Sequence, residues 1–258
     1  IVFGDWSSDV CSSDLSLEVE SLLLEPLASA EAVLSEEEKE AGVVLVDIGG
    51  GTTDIAIFQD GIIRHTAVIP FGGDIITEDI KEGCTIIKKH AEDLKVKFGS
   101  ALASENRDEE VVAIPGLRGR PPKEITLRNL ASIIQARMEE IIEHIYFEIK
   151  NSGYEKKLIA GIVLTGGGAQ LKHITQLTEF ITGMDTRIGY PNEHLAPGVP
   201  EEMASPMYAT GIGLVIIGLQ RLEKESLKTE KPALKSKKPP RGSFLDIIKK
   251  FFEEDGNT

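Results

Sequence analysis

Cysteine and aromatic residues are scarce in this 258-residue chain, which holds two cysteines, one tryptophan and four tyrosines. Cys11 and Cys84 lie far apart, with neither metal-type spacing nor an accompanying histidine cluster, so a disulfide framework and a zinc site are both unsupported. Long hydrophobic runs are missing too. A bilayer span needs roughly 18 apolar residues, and the densest stretch here, Ile212 to Leu219, falls well short. Residues 1–15 lack the basic start and apolar run of a secretory signal, so the chain reads as intracellular. Positive charge is outnumbered, with Lys+Arg 28 against Asp+Glu 42 and a net charge of -14. A polyanion would meet repulsion over most of such a surface, which argues against nucleic acid as a partner. What remains, 41% hydrophobic and 27% charged residues, is the composition of a folded protein able to bury a sizeable core.

The charge is unevenly placed. Between residues 231 and 250 stand Lys231, Lys235, Lys237, Lys238, Arg241, Lys249 and Lys250, against Asp246 alone. Lys231 to Arg241 also contains three prolines and almost nothing apolar, so it cannot offset its ordering entropy and reads as a flexible linker. Beyond it, Phe244, Leu245, Ile247, Ile248, Phe251 and Phe252 share one helical face, with Ser243 and Asp246 as a capping pair. Such a helix, roughly 18 Å long at 1.5 Å per residue, is too short to span a bilayer and suited to lie in its interface. A terminal helix packed on its own domain is the alternative. A basic leash in front of the helix favours the membrane, since each Lys or Arg near an anionic leaflet contributes about 1 kcal/mol.

Residues 1–15 carry a small Ser-Ser-Asp duplication without periodicity and read as a non-native leader. A helix is expected from Pro26 toward Leu34 after an extended Leu22 to Leu24, closed by a glutamate-rich turn at Glu36 to Glu40. Val43 to Val46 then forms a buried-type strand leading into Asp47-Ile48-Gly49-Gly50-Gly51-Thr52-Thr53-Asp54, with further strands at Ile55 to Phe58 and Ile62 to Ile69. Three consecutive glycines let backbone N–H groups approach phosphate oxygens, and Thr52 and Thr53 add hydroxyl donors. Asp47 and Asp54 bracket the turn; a carboxylate beside polyphosphate makes sense with a divalent cation or an attacking water to orient.

A second glycine cluster follows a strand at Leu158 to Leu164. Thr165-Gly166-Gly167-Gly168-Ala169 is expected to open a helix running to about Phe180, a geometry that suits an anion or nucleotide but also serves as a plain tight connection. Between the clusters, two helical stretches within Asp74 to Gly99 break at Gly83, the second capped by Thr85 and carrying Glu92 and Lys95 three apart on one face. Val111 to Ile114 reads as a strand, Pro115 to Pro122 as a loop, and Ile125 to Ile149 as a long amphipathic helix with His144 at its edge. Ser205-Pro206 should cap a final helix from Met207 to about Glu223.

Val46 to Asp54 resembles the second phosphate loop of the actin, Hsp70 and sugar-kinase superfamily, and Leu164 to Ala169 resembles its adenosine loop. Ala91 to Ala101 is similar to the helix end that contacts ribose and adenine there. Leu24-Glu25-Pro26-Leu27-Ala28-Ser29, the Gly119-Arg120-Pro121-Pro122 loop and the detached amphipathic helix are similar to the FtsA family of bacterial cell-division proteins, over Leu17 to Phe252.

That resemblance implies an α/β, actin-like (ribonuclease H-like) ATPase lobe with a smaller inserted α/β subdomain, a linker and a C-terminal amphipathic helix. It divides the chain into a connecting segment at 16–42 and a nucleotide-binding subdomain at 43–78 and 150–195. An inserted subdomain at 79–149 follows, then a helix region of the first lobe at 196–223, a linker at 224–242 and the membrane helix at 243–254. It further implies ATP and Mg2+ as cofactors, with Gly49, Gly50, Gly51, Thr52 and Thr53 at the β- and γ-phosphates, Asp47 meeting magnesium through water and Asp54 positioning a hydrolytic water. Glu92, Lys95, Gly166, Gly167 and Gly168 would hold the nucleoside, and Lys123 and Arg137 would meet the acidic FtsZ tail. The implied protein is a scaffold, at most a weak ATPase, that self-associates into filaments on anionic lipids of the inner membrane at the division site.

Members of the superfamily start with a first phosphate loop, and nothing before Leu17 supplies one. The chain therefore reads as a C-terminal fragment that by itself binds ATP weakly or not at all. A phosphotransferase of the same superfamily and a pilus-assembly ATPase of the same fold are the alternatives, and neither has a use for the amphipathic helix.

Overall fold

The computed structural model describes residues 19–107, 109–115, 121–191, 195 and 198–229. Two units divide the chain, residues 1–219 and 220–258. The described part of the second, residues 220–229, is the end of the helix Ala209–Thr229, with Gln220 to Lys224 exposed. The leader at 1–15, the basic linker after Thr229 and the amphipathic segment 243–254 lie outside the described residues.

In the first unit a five-stranded sheet has the order β3-β2-β1-β6-β7. Its strands are β1 (Val43–Ile48), β2 (Thr53–Gln59), β3 (Ile62–Ile69), β6 (Ile162–Thr165) and β7 (Thr186–Ile188). β1, β2 and β3 run antiparallel to their neighbours, whereas β1 pairs with β6, and β6 with β7, in parallel. β1 is buried at every residue, as a central strand covered on both faces must be. Alternation sorts its side chains. Val44, Val46 and Ile48 join one cluster with Ile55, Ile57, Ile76, Leu130, Ile134 and Ile141, while Val43 and Leu45 join another with Ala56, Phe58, Val163, Ala30 and Val33.

Helices cover both faces. On one side lie α3 (Gly73–Gly83), α4 (Lys88–Phe98), α5 (Leu127–Ser152) and α6 (Ile174–Thr182); on the other lie α1 (Glu25–Val33) and the start of α7 (Ala209–Thr229). The stripe on α5 falls where its periodicity places it, with Leu130, Ile134, Met138, Ile141, Ile142 and Ile145 buried and His144 exposed at the edge. Thr126 caps α5 by accepting from the Asn129 amide at 3.2 Å, and Gly153, at φ 75°, ends it in the left-handed conformation.

Several elements differ from the sequence expectation. Glu36–Ala41 is a short helix, α2, rather than a turn, because Ser35 and Glu38 form a reciprocal capping box with bonds of 3.2 and 2.9 Å. Lys123–Thr126 is a strand, β5, paired antiparallel with β4 (Val111–Ile114), so the long helix begins at Leu127 and not at Ile125. Thr85 has φ 52° and does not cap α4, whose N-cap is Ile87. The strand expected at Leu158 to Leu164 is confined to Ile162–Thr165, since Leu158 to Gly161 folds as a turn. Gly167–Gln170 makes a single 3-10 turn, and the helix expected to continue from it starts anew at Ile174 after His173, which has φ 62°. Pro206–Tyr208 is likewise a 3-10 turn ahead of α7. α7 continues to Thr229, into the stretch 224–242 read as linker, in keeping with the helix-favouring Leu, Glu and Lys residues there.

Candidate functional site: two glycine turns on one cleft

Parallel pairing of β1 and β6 sets Asp47 beside Thr165 in register. The two strands therefore end at the same edge of the sheet, and the glycines following each emerge side by side at the carboxyl edge, where open α/β sheets bind ligands. Gly49 and Gly50 from the first turn and Gly167 and Gly168 from the second line one cavity of about 250 Å3. Gly73, Asp74, Glu92, Lys95, Leu171 and Met207 are among the other residues of its wall.

The first turn is held from below. The Gly49 amide donates to the Thr52 carbonyl at 2.9 Å, and the amides of Gly73 and Asp74, opening α3, donate to the carbonyls of Gly49 and Gly50 at 2.9 and 2.8 Å. Thr53 is buried, its hydroxyl donating to the Phe71 carbonyl at 3.0 Å. A side chain at Gly51 or Gly167 would meet nothing within 4 Å, so the space beside these two residues is room that the protein itself does not fill.

Lys95 and Glu92 form the far wall. The Lys95 ammonium donates to the Gly73 carbonyl at 2.8 Å and to the Thr77 hydroxyl at 2.7 Å, and pairs with Glu92 at 2.9 Å. Burial pushes the Glu92 carboxyl up, but the Thr77 hydroxyl and the Lys95 ammonium outweigh it and hold the group below its usual range.

Asp47 sits on the other face of β1, only 8% exposed. Burial raises its carboxyl above the usual range, the carboxylates of Glu25 and Asp54 add to this, and the hydroxyls of Ser29 and Thr210 oppose it. Asp54 accepts from the Thr52 hydroxyl at 3.1 Å. Among the described residues no group of three or more carboxylates, histidines or cysteines is placed to hold a metal ion directly. Sequence reasoning missed Glu25, Ser29, Gly73, Asp74, Met207 and Thr210 as neighbours of the site. Glu25-Pro26 at the head of a helix was the one local signal.

Lys123 and Arg137 stand apart from the cleft. Lys123 donates to the Cys84 carbonyl. Arg137 makes a two-pronged contact with Asp79, at 2.6 and 3.0 Å, and also pairs with Glu140. Cys84 itself is a buried free thiol, pushed up by burial. The six apolar residues from Phe244 to Phe252 lie outside the described residues.

The family profile described as "Cell division protein FtsA" matches residues 44–213. The chain belongs to the FtsA family. It is 40% identical over 243 residues to the cell division protein FtsA of Pseudomonas aeruginosa, covering 94% of this chain and 58% of that one. Its identity to the FtsA of Escherichia coli K12 is 38% over 209 residues, covering 78% and 49%. The chain thus spans about half the length of the curated FtsA relatives it matches. Among solved structures, MreB5 of Spiroplasma citri bound to ADP superposes with a TM-score of 0.67 at 21% identity, covering 85% of this chain and 65% of that one. The protein of the MamK double helical filament gives a TM-score of 0.55 at 16% identity, covering 75% and 58%. The fold is actin-like, and both glycine turns of this FtsA-family chain fall within the matched residues.

Proposed function

We propose that this chain is the nucleotide-cleft portion of an actin-like division scaffold, which binds ATP with Mg2+, self-associates at the inner face of the cytoplasmic membrane and tethers FtsZ there. The observation that carries the reading is the convergence of Gly49–Gly50, Gly167–Gly168, Glu92 and Lys95 on one cleft. Open space beside Gly167, which lines the cleft, leaves room for a ligand that the backbone can approach closely. The turn from Gly49 to Thr53 would face the β- and γ-phosphates; Glu92, Lys95 and Gly166 to Gly168 would hold the nucleoside. Magnesium, when bound, would neutralise phosphate charge, and Asp47 would meet it through water. Asp54 would orient the hydrolytic water. Lys123 and Arg137 would meet the acidic FtsZ tail, and Phe244, Leu245, Ile247, Ile248, Phe251 and Phe252 would enter the lipid interface.

The FtsA relatives, at about 40% identity, support this scaffold over the phosphotransferase and pilus-assembly alternatives. Titration of the chain with MgATP, followed residue by residue by NMR, tests it. Weak, saturable shifts are expected at Gly49 to Thr53, Glu92, Lys95, Gly167 and Gly168. Undisturbed signals there at millimolar nucleotide would overturn nucleotide binding by this chain on its own.

A further inference from the structure

Ser29 is a fully buried serine in the middle of α1, and its hydroxyl is directed at a carboxylate on another element: it donates to Asp47 Oδ2 at 2.9 Å. Thr210, the second residue of α7, lies 2.8 Å from the same hydroxyl through its Oγ1, which also reaches Asp47 Oδ2 at 3.4 Å. Ser29 gives its one proton to Oδ2, so Thr210 gives its own to Ser29 Oγ, and its longer approach to Oδ2 is a close contact on the same carboxylate oxygen. The other is confined by backbone, since a Cβ placed on Gly166 would come within 2.3 Å of Asp47 Oδ1. Strand parity explains why these groups meet: Asp47 shares the face of Val43 and Leu45, the side covered by α1 and the start of α7.

We propose that Ser29 and Thr210 are positioning residues for Asp47, Ser29 holding Oδ2 and Thr210 holding the Ser29 hydroxyl, so that Oδ1 stays against Gly166 of the second glycine turn. A carboxylate bonded on one oxygen by a hydroxyl that is itself held by a second hydroxyl, and closed in on the other by a glycine backbone, has lost its side-chain freedom before any ligand arrives, which removes an ordering cost from binding. The Glu25 and Asp54 carboxylates repel the same group, and the clamp holds Oδ2 against that repulsion. That the fixed carboxylate serves a hydrated magnesium ion rests on the nucleotide reading above, whereas the positioning itself does not.

The test reads the Asp47 side chain directly. Three-bond NMR couplings across its χ1 torsion should report a single rotamer in the full chain. Ser29→Ala and Thr210→Val should give averaged couplings, and Ser29→Thr, which keeps the hydroxyl, should retain the single rotamer. Thr210→Val preserves shape at a half-buried site, so it decides the matter even where Ser29→Ala folds poorly. Unchanged couplings in the folded variants overturn the proposal. A second readout is the gain in ATP affinity on replacing EDTA by Mg2+, which should shrink about tenfold in either variant, as for other residues that orient a metal's partners, with affinity in EDTA unchanged. An equal loss under both conditions would mark a structural role and also overturn it. If the unsubstituted chain binds no nucleotide, nucleotide binding by this chain on its own fails and the couplings alone decide the positioning.

Discussion

Asp47 and Asp54 stand directly opposite one another in the antiparallel register of β1 and β2. Side chains so paired project from the same face of the sheet. The turn between them thus begins and ends on a carboxylate, and both point to the side of the sheet that carries Ser29 and Thr210.

Burial of Asp47 makes stability depend on pH in a defined direction. The Asp47 carboxyl is raised, chiefly by burial, so the folded state holds its proton over a pH range in which the unfolded chain has released it. Stability from this residue is therefore present at low pH and lost as pH rises from about 4 through the folded value. Asp47→Asn removes the titration. The stability of the unsubstituted chain relative to Asp47→Asn should grow as pH falls from 7 toward 4, measured by urea unfolding at each pH. A difference that is flat, or that grows with rising pH, contradicts the assignment.

Gly166 and Gly51 should respond oppositely to alanine. Gly166 has φ 83° and ψ 176°, a region open essentially to glycine alone, and a Cβ there would overlap Asp47 and the Ile48 carbonyl. Strain and overlap together should cost Gly166→Ala about 2–5 kcal/mol. Gly51→Ala meets nothing within 4 Å and should cost less than about 0.5 kcal/mol. Denaturant midpoints with unchanged m-values give both numbers, and similar losses at the two positions would contradict the geometry.

Arg137 is engaged by Asp79 before any acidic peptide reaches it, with the two side chains 23% and 27% exposed. A pair this accessible contributes about 0.5–1 kcal/mol. Asp79→Asn should therefore strengthen binding of an acidic FtsZ-tail peptide by roughly twofold to fivefold, measured by fluorescence anisotropy, and Arg137→Ala should weaken it. Weaker binding by Asp79→Asn would place the peptide elsewhere.

Deletion of residues 243–254 should abolish co-sedimentation with vesicles containing anionic lipid, and raising the salt concentration should weaken the binding of the intact chain, because the basic stretch before the segment acts through screened charge. Equal pelleting of both chains would remove the membrane role.

Local chemistry was legible wherever the signal spans a few residues. The apolar stripe of α5, the turn at Asp60 and Gly61 between β2 and β3, and the break at Gly83 all stand where spacing and residue type place them. Legibility failed where a partner distant in sequence decides. Residues 123–126 become a strand because Val111–Ile114 lies beside them, and the helix expected from Gly166 is interrupted where Ser100 bridges to Lys172 and its hydroxyl meets His173 Nδ1 at 3.0 Å. The capping box at Ser35 was readable and was passed over, hidden within a run of glutamates.

The sequence by itself determined that two turns without side chains would follow apolar strands, and that Glu92 and Lys95 would share a helical face, because such features depend on neighbours within a turn or a strand. Only the tertiary structure decided that the two turns open into one cleft and that Asp47 lies under Ser29 and Thr210. Residues so far apart along the chain meet through the pairing of β1 with β6 and the parity of β1, and that pairing is chosen by burial of whole faces rather than by any local preference.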